Sequence, residues 1–450
     1  MKIKSLELKN YRCFKETAIN FSDITILTGA NSSGKSTIIS AILLYLQSNN
    51  FPFYLNLNGK YINLGDFSNI AHSEKESINF KFETLAEAAH EQRMDIDVSW
   101  EKEKDKSGNF AKLSNLALNL GDKVEYIKIR QEKGIFYLSL KIYTTHANRK
   151  DVEKFYANSK YFKKAKDFLM TNNSLHVLEC PFKTLDELLK NGIYEKDIEE
   201  KMGDNFPFPV GNIATWVYLN DMKRTNIDSN FNYIGSFRLE PQRTYYQKNA
   251  PESKIDSAGN GYIDTIIKWE QDKSEKLLSL KEILKELDLF YDLKVNYMQG
   301  GRVELKVKTS KSGKLVNISD VGFGISQFLP IIVADLQLSD DSLLAISQPE
   351  IHLHPSIQAK FSDYIALQVK KKRKQYIIET HSEYILNRLR LLIAKKELKE
   401  ENVSTYYFEN SGKESKTFKI DFSKDGKILN APKGFFETYM LDVMDIALNA

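Results

Sequence analysis

Gly29-Ala30-Asn31-Ser32-Ser33-Gly34-Lys35-Ser36-Thr37 decides how this chain is read. The stretch fits Gly-x-x-x-x-Gly-Lys-Ser/Thr, a loop whose backbone cradles phosphates. Its flanks fit as well. Asp23-Ile24-Thr25-Ile26-Leu27-Thr28 precedes it, an apolar run of strand length rich in β-branched residues. Residues 36–47 follow it, where Ile38, Ile39, Ala41, Ile42, Leu43 and Leu46 spell a mostly apolar helix. Strand, glycine-rich turn and helix start are what phosphate chemistry requires. The glycines let the backbone approach closely, and the helix N-terminus presents free N–H groups. Asn31, Ser32, Ser33, Gly34, Lys35, Ser36 and Thr37 are therefore the expected nucleotide contacts. Lys35 is expected to reach the β- and γ-phosphates and the Ser36 hydroxyl to ligate Mg²⁺, so ATP and Mg²⁺ are the expected ligands.

The whole chain narrows the setting. Its 450 residues accommodate one large domain or two to three smaller ones. Against 64 basic residues stand 60 acidic ones, so the net charge of +4 gives no global argument for nucleic acid or membrane binding. The two cysteines, Cys13 and Cys180, lie far apart, which argues against a disulfide framework and for a reducing cytoplasm. No apolar run approaches the ~20 residues of a membrane span. The start alternates like a strand and lacks the apolar core of a signal peptide. The expectation is a soluble cytoplasmic protein without a membrane partner.

Along the chain, residues 3–9 and 24–28 read as strands. Residues 51–70 read as loop with short strands, and 78–145 as several strands, 125–130 and 135–143 among them. Residues 102–109 read as a charged loop. Strand alternation fades over 150–225, which reads as a helical insertion. Residues 262–287 carry a broad leucine stripe of a helix or helix pair, most simply a core face. Residues 303–307 alternate as a strand, and 343–346 and 376–378 are short apolar strands of the buried parallel type. The expected class is α/β: a phosphate-loop core with an antiparallel β subdomain and a helical insertion. Its parts are 1–150 with the phosphate loop, 151–230 as the insertion, and 231–450 with the rest of the site.

Hydrolysis needs carboxylates at a strand end. Leu343-Leu344-Ala345-Ile346-Ser347-Gln348-Pro349-Glu350-Ile351-His352-Leu353-His354-Pro355 is the best strand for them. In many ATPases such a strand ends in Asp-Glu-Pro; the first acid serves Mg²⁺ and the second polarises the attacking water. Here Ser347 and Gln348 hold those places, and Glu350 is the nearest acid. Glu350 is thus the expected catalytic and metal-side carboxylate, with Gln348 beside it. A further strand ends in Glu379-Thr380-His381-Ser382, where His381 is placed to sense a γ-phosphate. Ser319-Asp320-Val321-Gly322-Phe323-Gly324-Ile325-Ser326-Gln327 precedes an apolar helical run, a second N-terminus suited to an anion.

This set resembles the ABC-type ATPase heads of the SMC, RecF and OLD-like superfamily. It is most similar to stand-alone bacterial ATPases with a Gln-Pro-Glu-x-His-Leu-His-Pro strand and a Thr-His-Ser strand. The likeness covers roughly residues 1–80 and 230–440. It implies nucleotide contact by Arg12, within Asn10-Tyr11-Arg12-Cys13-Phe14. It places Gly322 to Gln327 on the signature region, with Gly322 where a serine is usual. His352-Leu353-His354-Pro355 falls on the D-loop and His381 on the switch histidine. Asn63-Leu64-Gly65-Asp66-Phe67 resembles the Q-loop neighbourhood without its glutamine, and residues 238–245 also resemble this subgroup. The likeness implies that Gly322 and Gly324 act on the nucleotide of a partner head, so that ATP joins a homodimer or higher homo-oligomer. Relatives of this kind, such as the ATPase subunits of Septu and PARIS, serve anti-phage systems beside a separate effector, a toxin or nuclease.

Several features admit plainer readings. The three histidines 352, 354 and 381 have no cysteine near them and suit loop packing better than zinc. Lys370-Lys371-Lys372-Arg373-Lys374 is either a solvated helix end or a nucleic-acid contact. Residues 382–450 contain no Asp-x-Asp strand end, which argues against a nuclease in this chain. Three functions stand open: a slow ATPase that controls an effector in anti-phage defence, an SMC- or RecF-like DNA clamp, and a scaffold that binds ATP structurally.

Overall fold

A computed structural model describes residues 2–48, 51–86, 92–105, 108–120, 125–133, 135–143, 167–171, 174–182, 230–246, 254–432 and 435. The chain divides into two compact units: Met1–Ile19 with Ser40–Ser229, and Asn20–Ile39 with Asn230–Ala450. Strands β1 (Lys2–Tyr11) and β2 (Phe14–Asn20) come first. Then β3 (Ile24–Gly29) runs into the phosphate loop and helix α1 (Lys35–Gln47). A short helix α2 (Phe67–Ile70) is capped by Asp66, whose carboxylate accepts from the Ser68 N–H.

The first unit is built on a nine-stranded antiparallel sheet. Its remaining strands are β4 (Ile78–Ala86), β5 (Gln92–Asp105), β6 (Gly108–Leu120), β7 (Glu125–Glu132), β8 (Ile135–Tyr143), β9 (Asp167–Thr171) and β10 (Ser174–Phe182). The order is β2-β1-β4-β5-β6-β7-β8-β10-β9. Alternation explains which face is covered. In β4, Ile78, Phe80 and Phe82 are buried while Lys81 is exposed, and in β5 Ile96, Val98 and Trp100 are buried. Phe80 meets Tyr11 edge-on and Phe51 meets Tyr45 edge-on, Phe82 lies tilted against Tyr45, and the edge-on pairs Phe80–Trp100 and Phe51–Trp100 have centroids 5.3 and 5.8 Å apart. The two polar tips are satisfied: Trp100 Nε1 donates to the Pro52 carbonyl at 2.7 Å, and the Tyr11 hydroxyl bonds Ser40 Oγ at 3.0 Å. Burial pushes the Tyr11 phenol up to about 12.

The second unit holds a seven-stranded sheet. Its strands are β11 (Phe231–Ile234), β16 (Leu343–Ser347), β17 (Gln375–Glu379), β3, β18 (Val403–Asn410), β19 (Ser415–Phe422) and β20 (Ile428–Leu429), in that spatial order. The first five are parallel, and the last two turn antiparallel. Every residue of β3, β16 and β17 is buried, as expected of strands covered on both faces. A smaller sheet joins β12 (Tyr245–Tyr246), β13 (Asp292–Tyr297), β14 (Arg302–Lys308) and β15 (Val316–Asn317). Helices α3 (Tyr262–Gln271), α4 (Glu275–Glu286), α5 (Phe323–Gln337), α6 (Pro355–Lys372) and α7 (Glu383–Ala394) complete the described elements. The expected helix pair at 262–287 is α3 and α4, parted where Lys273 turns left-handed and Ser274 caps the second. One core gathers Ile26, Ile346, Ile378, Phe328, Phe361 and Leu389.

Two expectations need correction. The described residues of the charged stretch 102–109, 102–105 and 108–109, are ladder, not loop: Lys102 pairs with Ala111 and Asp105 with Gly108. Glu103, 40% exposed, pairs with Lys112, so burial does not oppose the strand there. Within 151–230, the described residues form strands β9 and β10, not helix. Two short runs joined by Asn172-Asn173 read as a hairpin once their neighbour is known, and β10 pairs β8 on its other edge. The helical stretches expected at 152–158 and 184–191 lie outside the described residues.

Trp100→Ala should destabilise the first unit by about 3–5 kcal/mol, the usual cost of an emptied aromatic site. Trp100→Phe should cost about 1–3 kcal/mol, chiefly by leaving the Pro52 carbonyl unpaired. Urea denaturation of both variants checks the ranking.

Candidate functional site

The phosphate loop takes its shape from residues with positive φ: Gly29 at 132°, Ser32 at 58° and Gly34 at 104°. Gly29 is fixed twice over. A Cβ there would lie 2.2 Å from the Phe408 carbonyl of the adjacent strand β18, so only glycine fits. The Ser32 carbonyl accepts from Asn410 Nδ2 at 2.9 Å, which ties the loop's tip to the end of β18. Lys35 is buried, and its ammonium donates to the Gly29 and Ala30 carbonyls at 3.1 and 2.7 Å. Burial lowers the Lys35 pKa, while the charges of Glu379 and Glu350 work to raise it. The Ser33 hydroxyl is buried without a hydrogen-bond partner among the described residues. A cradle of this shape, with a buried cation and an unsatisfied hydroxyl, fits the phosphates of a nucleotide.

Beside the loop lies a carboxylate that the strand ending in Ser347 does not supply. Glu379 closes β17 and stands opposite Ser347 of β16 in the parallel register. It is 6% exposed, and it accepts from Ser36 Oγ at 2.7 Å through one oxygen and from Ser347 Oγ at 3.0 Å through the other. The Tyr233 hydroxyl lies 3.3 Å from Ser347 Oγ. Buried Arg238 braces the same strand end. It donates to the Ser347 and Gln348 carbonyls at 2.8 and 2.9 Å, to Gly235 at 3.0 Å and to Gln327 at 3.3 Å. Burial lowers the Arg238 pKa to about 10, which leaves it charged at neutral pH. Gln348 enters through its backbone, at φ 50°, with its N–H on the Glu379 carbonyl at 2.6 Å.

Glu350 follows in the turn after Pro349. One of its oxygens accepts the His381 backbone N–H at 2.7 Å, and the other is buried without a partner among the described residues. The His381 imidazole has a lowered pKa, through desolvation first and the Lys35 charge second, against the opposing pull of Glu350 and Glu379. Its neutral form therefore dominates at neutral pH. Ser382 caps α7 and donates to Gln358 of α6 at 2.5 Å, which fixes the peptide carrying His381.

Of the residues expected from sequence, the second unit brings together Asn31 to Thr37, Gln348, Glu350 and His381 around one strand end. Gly322 and Gly324 part company at the start of α5. Gly322 is exposed with open space beside it. Gly324 is buried, and a Cβ on it would lie 1.9 Å from the His352 carbonyl. Gly324 is thus a packing position under the His352 carbonyl of its own chain. Arg12 belongs to the first unit, at φ 51° in the turn between β1 and β2, where its carbonyl accepts from His72 Nδ1 at 2.9 Å. Within the basic run, exposed Lys372 pairs with Asp340 and exposed Arg373 with Asp341, buried Lys374 pairs with buried Asp335, and Lys370 and Lys371 are exposed.

Sequence reasoning missed Glu379. The signal was there: an acid follows the apolar run Tyr376-Ile377-Ile378 at the end of a five-residue strand, and a buried acid needs partners. Oxygen donors from Ser36, Ser347, Glu379 and Glu350 suit Mg²⁺, a hard cation bound through one or two carboxylates and substrate phosphates. No group of three or more His, Cys, Asp or Glu side chains that could hold a metal ion occurs among the described residues.

A model of the AAA ATPase domain family matches residues 1–386. No curated protein matches the chain. Among solved structures, it is similar to the SMC head domain from Thermotoga maritima, at 12% identity and a TM-score of 0.41 over 94% of this chain and 100% of that one. It is also similar to an Smc head bound to the C-winged helix domain of ScpA, at 13% identity and a TM-score of 0.41 over 94% and 99%. A third is an Smc head domain with an extended coiled coil bound to the C-terminal domain of ScpA derived from Pyrococcus furiosus, at 14% identity and a TM-score of 0.38 over 99% of each chain. No described helix is long and apolar enough to cross a membrane.

The two signature-region glycines should respond differently to a methyl group. Gly324→Ala should cost about 1–3 kcal/mol by forcing α5 away from His352. Gly322→Ala should stay within about 0.5 kcal/mol. Thermal denaturation of the two variants reads the difference.

Proposed function

The chain belongs to the AAA ATPase domain family, and we propose that it is an ATP-gated dimeric switch. It hydrolyses slowly and controls a separate effector, a toxin or nuclease, in anti-phage defence. The observation that carries the switch reading is the imbalance between the halves of the site. The phosphate loop is complete, with Lys35 buried inside it, whereas β16 ends in Ser347 and Gln348 with no carboxylate of its own. Binding is therefore well provided for, while water activation is left to Glu350, beyond the strand's end. Loss of one preorganised group commonly costs about 10²–10³ in rate, which suits a switch better than a motor.

In this reading Lys35 leaves the loop carbonyls for the β- and γ-phosphates, and the loop N–H groups hold the rest of the chain of phosphates. Mg²⁺, when bound, offsets the charge of the β- and γ-oxygens, and the Ser36 hydroxyl is the loop's own ligand for it. Glu350 orients the attacking water: its second oxygen has no partner to give up, and the His381 N–H keeps the first in place. The neutral His381 imidazole hydrogen-bonds the γ-phosphate and so reports its presence. Gly322, open to its surroundings at the N-terminus of α5, supports contact with the nucleotide of a partner head. The effector and the defence role rest on the resemblance of the 347–355 and 379–382 stretches to anti-phage ATPases.

ATP turnover should be slow but measurable in the wild type and absent in Lys35→Ala. In Glu350→Gln it should fall about 10²–10³-fold, and the ATP-bound dimer should accumulate in light scattering. Equal rates in all three proteins would refute the enzyme reading. In cells, Lys35→Ala should abolish protection in a plaque assay. Strong, salt-dependent duplex DNA binding in the presence of ATP would point to the clamp instead.

A further inference from the structure

We propose that Glu379, from β17, is the carboxylate that serves Mg²⁺ beside Ser36, in place of the acid that β16 lacks. The proposal rests on the ATP-binding reading above and assigns the metal-side residue within it. It replaces Glu350 in that role and leaves Glu350 to the water.

Three observations converge on Glu379. First, Ser36 is the hydroxyl that the phosphate loop commits to the metal, and in this structure it donates to Glu379 Oε1 at 2.7 Å. A hydroxyl has one proton and two lone pairs, so Ser36 can ligate a cation while it keeps Glu379 as its acceptor. Second, the parallel register sets Glu379 directly across from Ser347, on the same face of adjacent strands. The carboxylate therefore reaches the strand-end position from the side, with one more methylene than an aspartate would have there. Third, the far oxygen is fastened. Ser347 Oγ donates to it at 3.0 Å, Tyr233 stands behind Ser347 at 3.3 Å, and Arg238 holds the Ser347 carbonyl at 2.8 Å. Ser347 is then a positioning residue. Its hydroxyl orients the acid that replaced it, and a second carboxylate at that place would repel Glu379 across the ladder.

Glu350 is less suited to the metal. It sits beyond Pro349, it holds the His381 N–H, and it makes no contact with Ser36 in the described structure. Two acids with separate partners divide the two tasks.

The test compares binding of a fluorescent ATP analogue with Mg²⁺ and with EDTA, in full-length protein of verified thermal stability. Glu379→Gln should bind as well as wild type in EDTA and lose about 10–100-fold of the tightening that Mg²⁺ gives. Ser347→Ala should lose less, and Glu350→Gln should keep the tightening. If Glu379→Gln does not fold, the charge relocation Ser347→Asp combined with Glu379→Ser decides: it should restore Mg²⁺-dependent tightening, whereas Ser347→Asp alone should weaken it. Mn²⁺ in place of Mg²⁺ allows the bound metal to be followed by electron paramagnetic resonance, independent of turnover. Wild-type tightening in Glu379→Gln, with loss in Glu350→Gln, would overturn the assignment and leave ATP binding intact. Absence of nucleotide binding by the wild type, or equal binding by Lys35→Ala, would overturn the underlying reading and this proposal with it.

Discussion

The parallel register of β16, β17 and β3 is the constraint on which the site depends. It sets Ser347 against Glu379 and Glu379 against Leu27, so the three strands end together at the phosphate loop. A slip of one residue would turn every side chain to the opposite face and carry the carboxylate away from Ser36. Burial prevents this. All five residues of β16 and of β17 are buried, and Ile346 and Ile378 belong to the same core. Core packing therefore places a charged group to the accuracy of a hydrogen bond. The same ladder explains Gly29: β18 runs so close to the loop that its Phe408 carbonyl excludes any side chain there.

Charge is distributed with the same economy. One buried lysine faces two carboxylates, and each carboxylate has a different second partner: hydroxyls for Glu379 and a backbone N–H for Glu350. A carboxylate gripped by two hydroxyls stays where it is put and retains lone pairs for a cation. One with an unpartnered oxygen is free to accept from water. Arg238 contributes no charge partner by direct ion pair. It donates to four backbone carbonyls and so stiffens the turn from which Glu350 projects.

What was legible in the sequence follows the range of the physics involved. The phosphate loop depends on about a dozen consecutive residues, and its strand and helix lie where local pattern puts them. The apolar runs of β16 and β17 were also plain, as was the absence of an acid after Ile346. Glu379 was not, because its role comes from a lateral pairing between strands whose register no local pattern encodes. Gly324 looked like a ligand-facing glycine by its place in a motif, and only the approach of the His352 carbonyl shows what excludes a side chain there. The strands at 167–182 were hidden for a related reason. Short polar-flanked runs become strands by joining an existing edge, here that of β8.

The most direct measurement is the anomalous diffraction of Mn²⁺ in crystals grown with Mn²⁺ and a non-hydrolysable ATP analogue. A peak is expected beside Ser36 Oγ with a Glu379 oxygen as its nearest protein carboxylate, directly or through one water, and with Glu350 turned toward the γ-phosphate. A peak coordinated by Glu350, with Glu379 still bound to both serines, would contradict the Glu379 assignment.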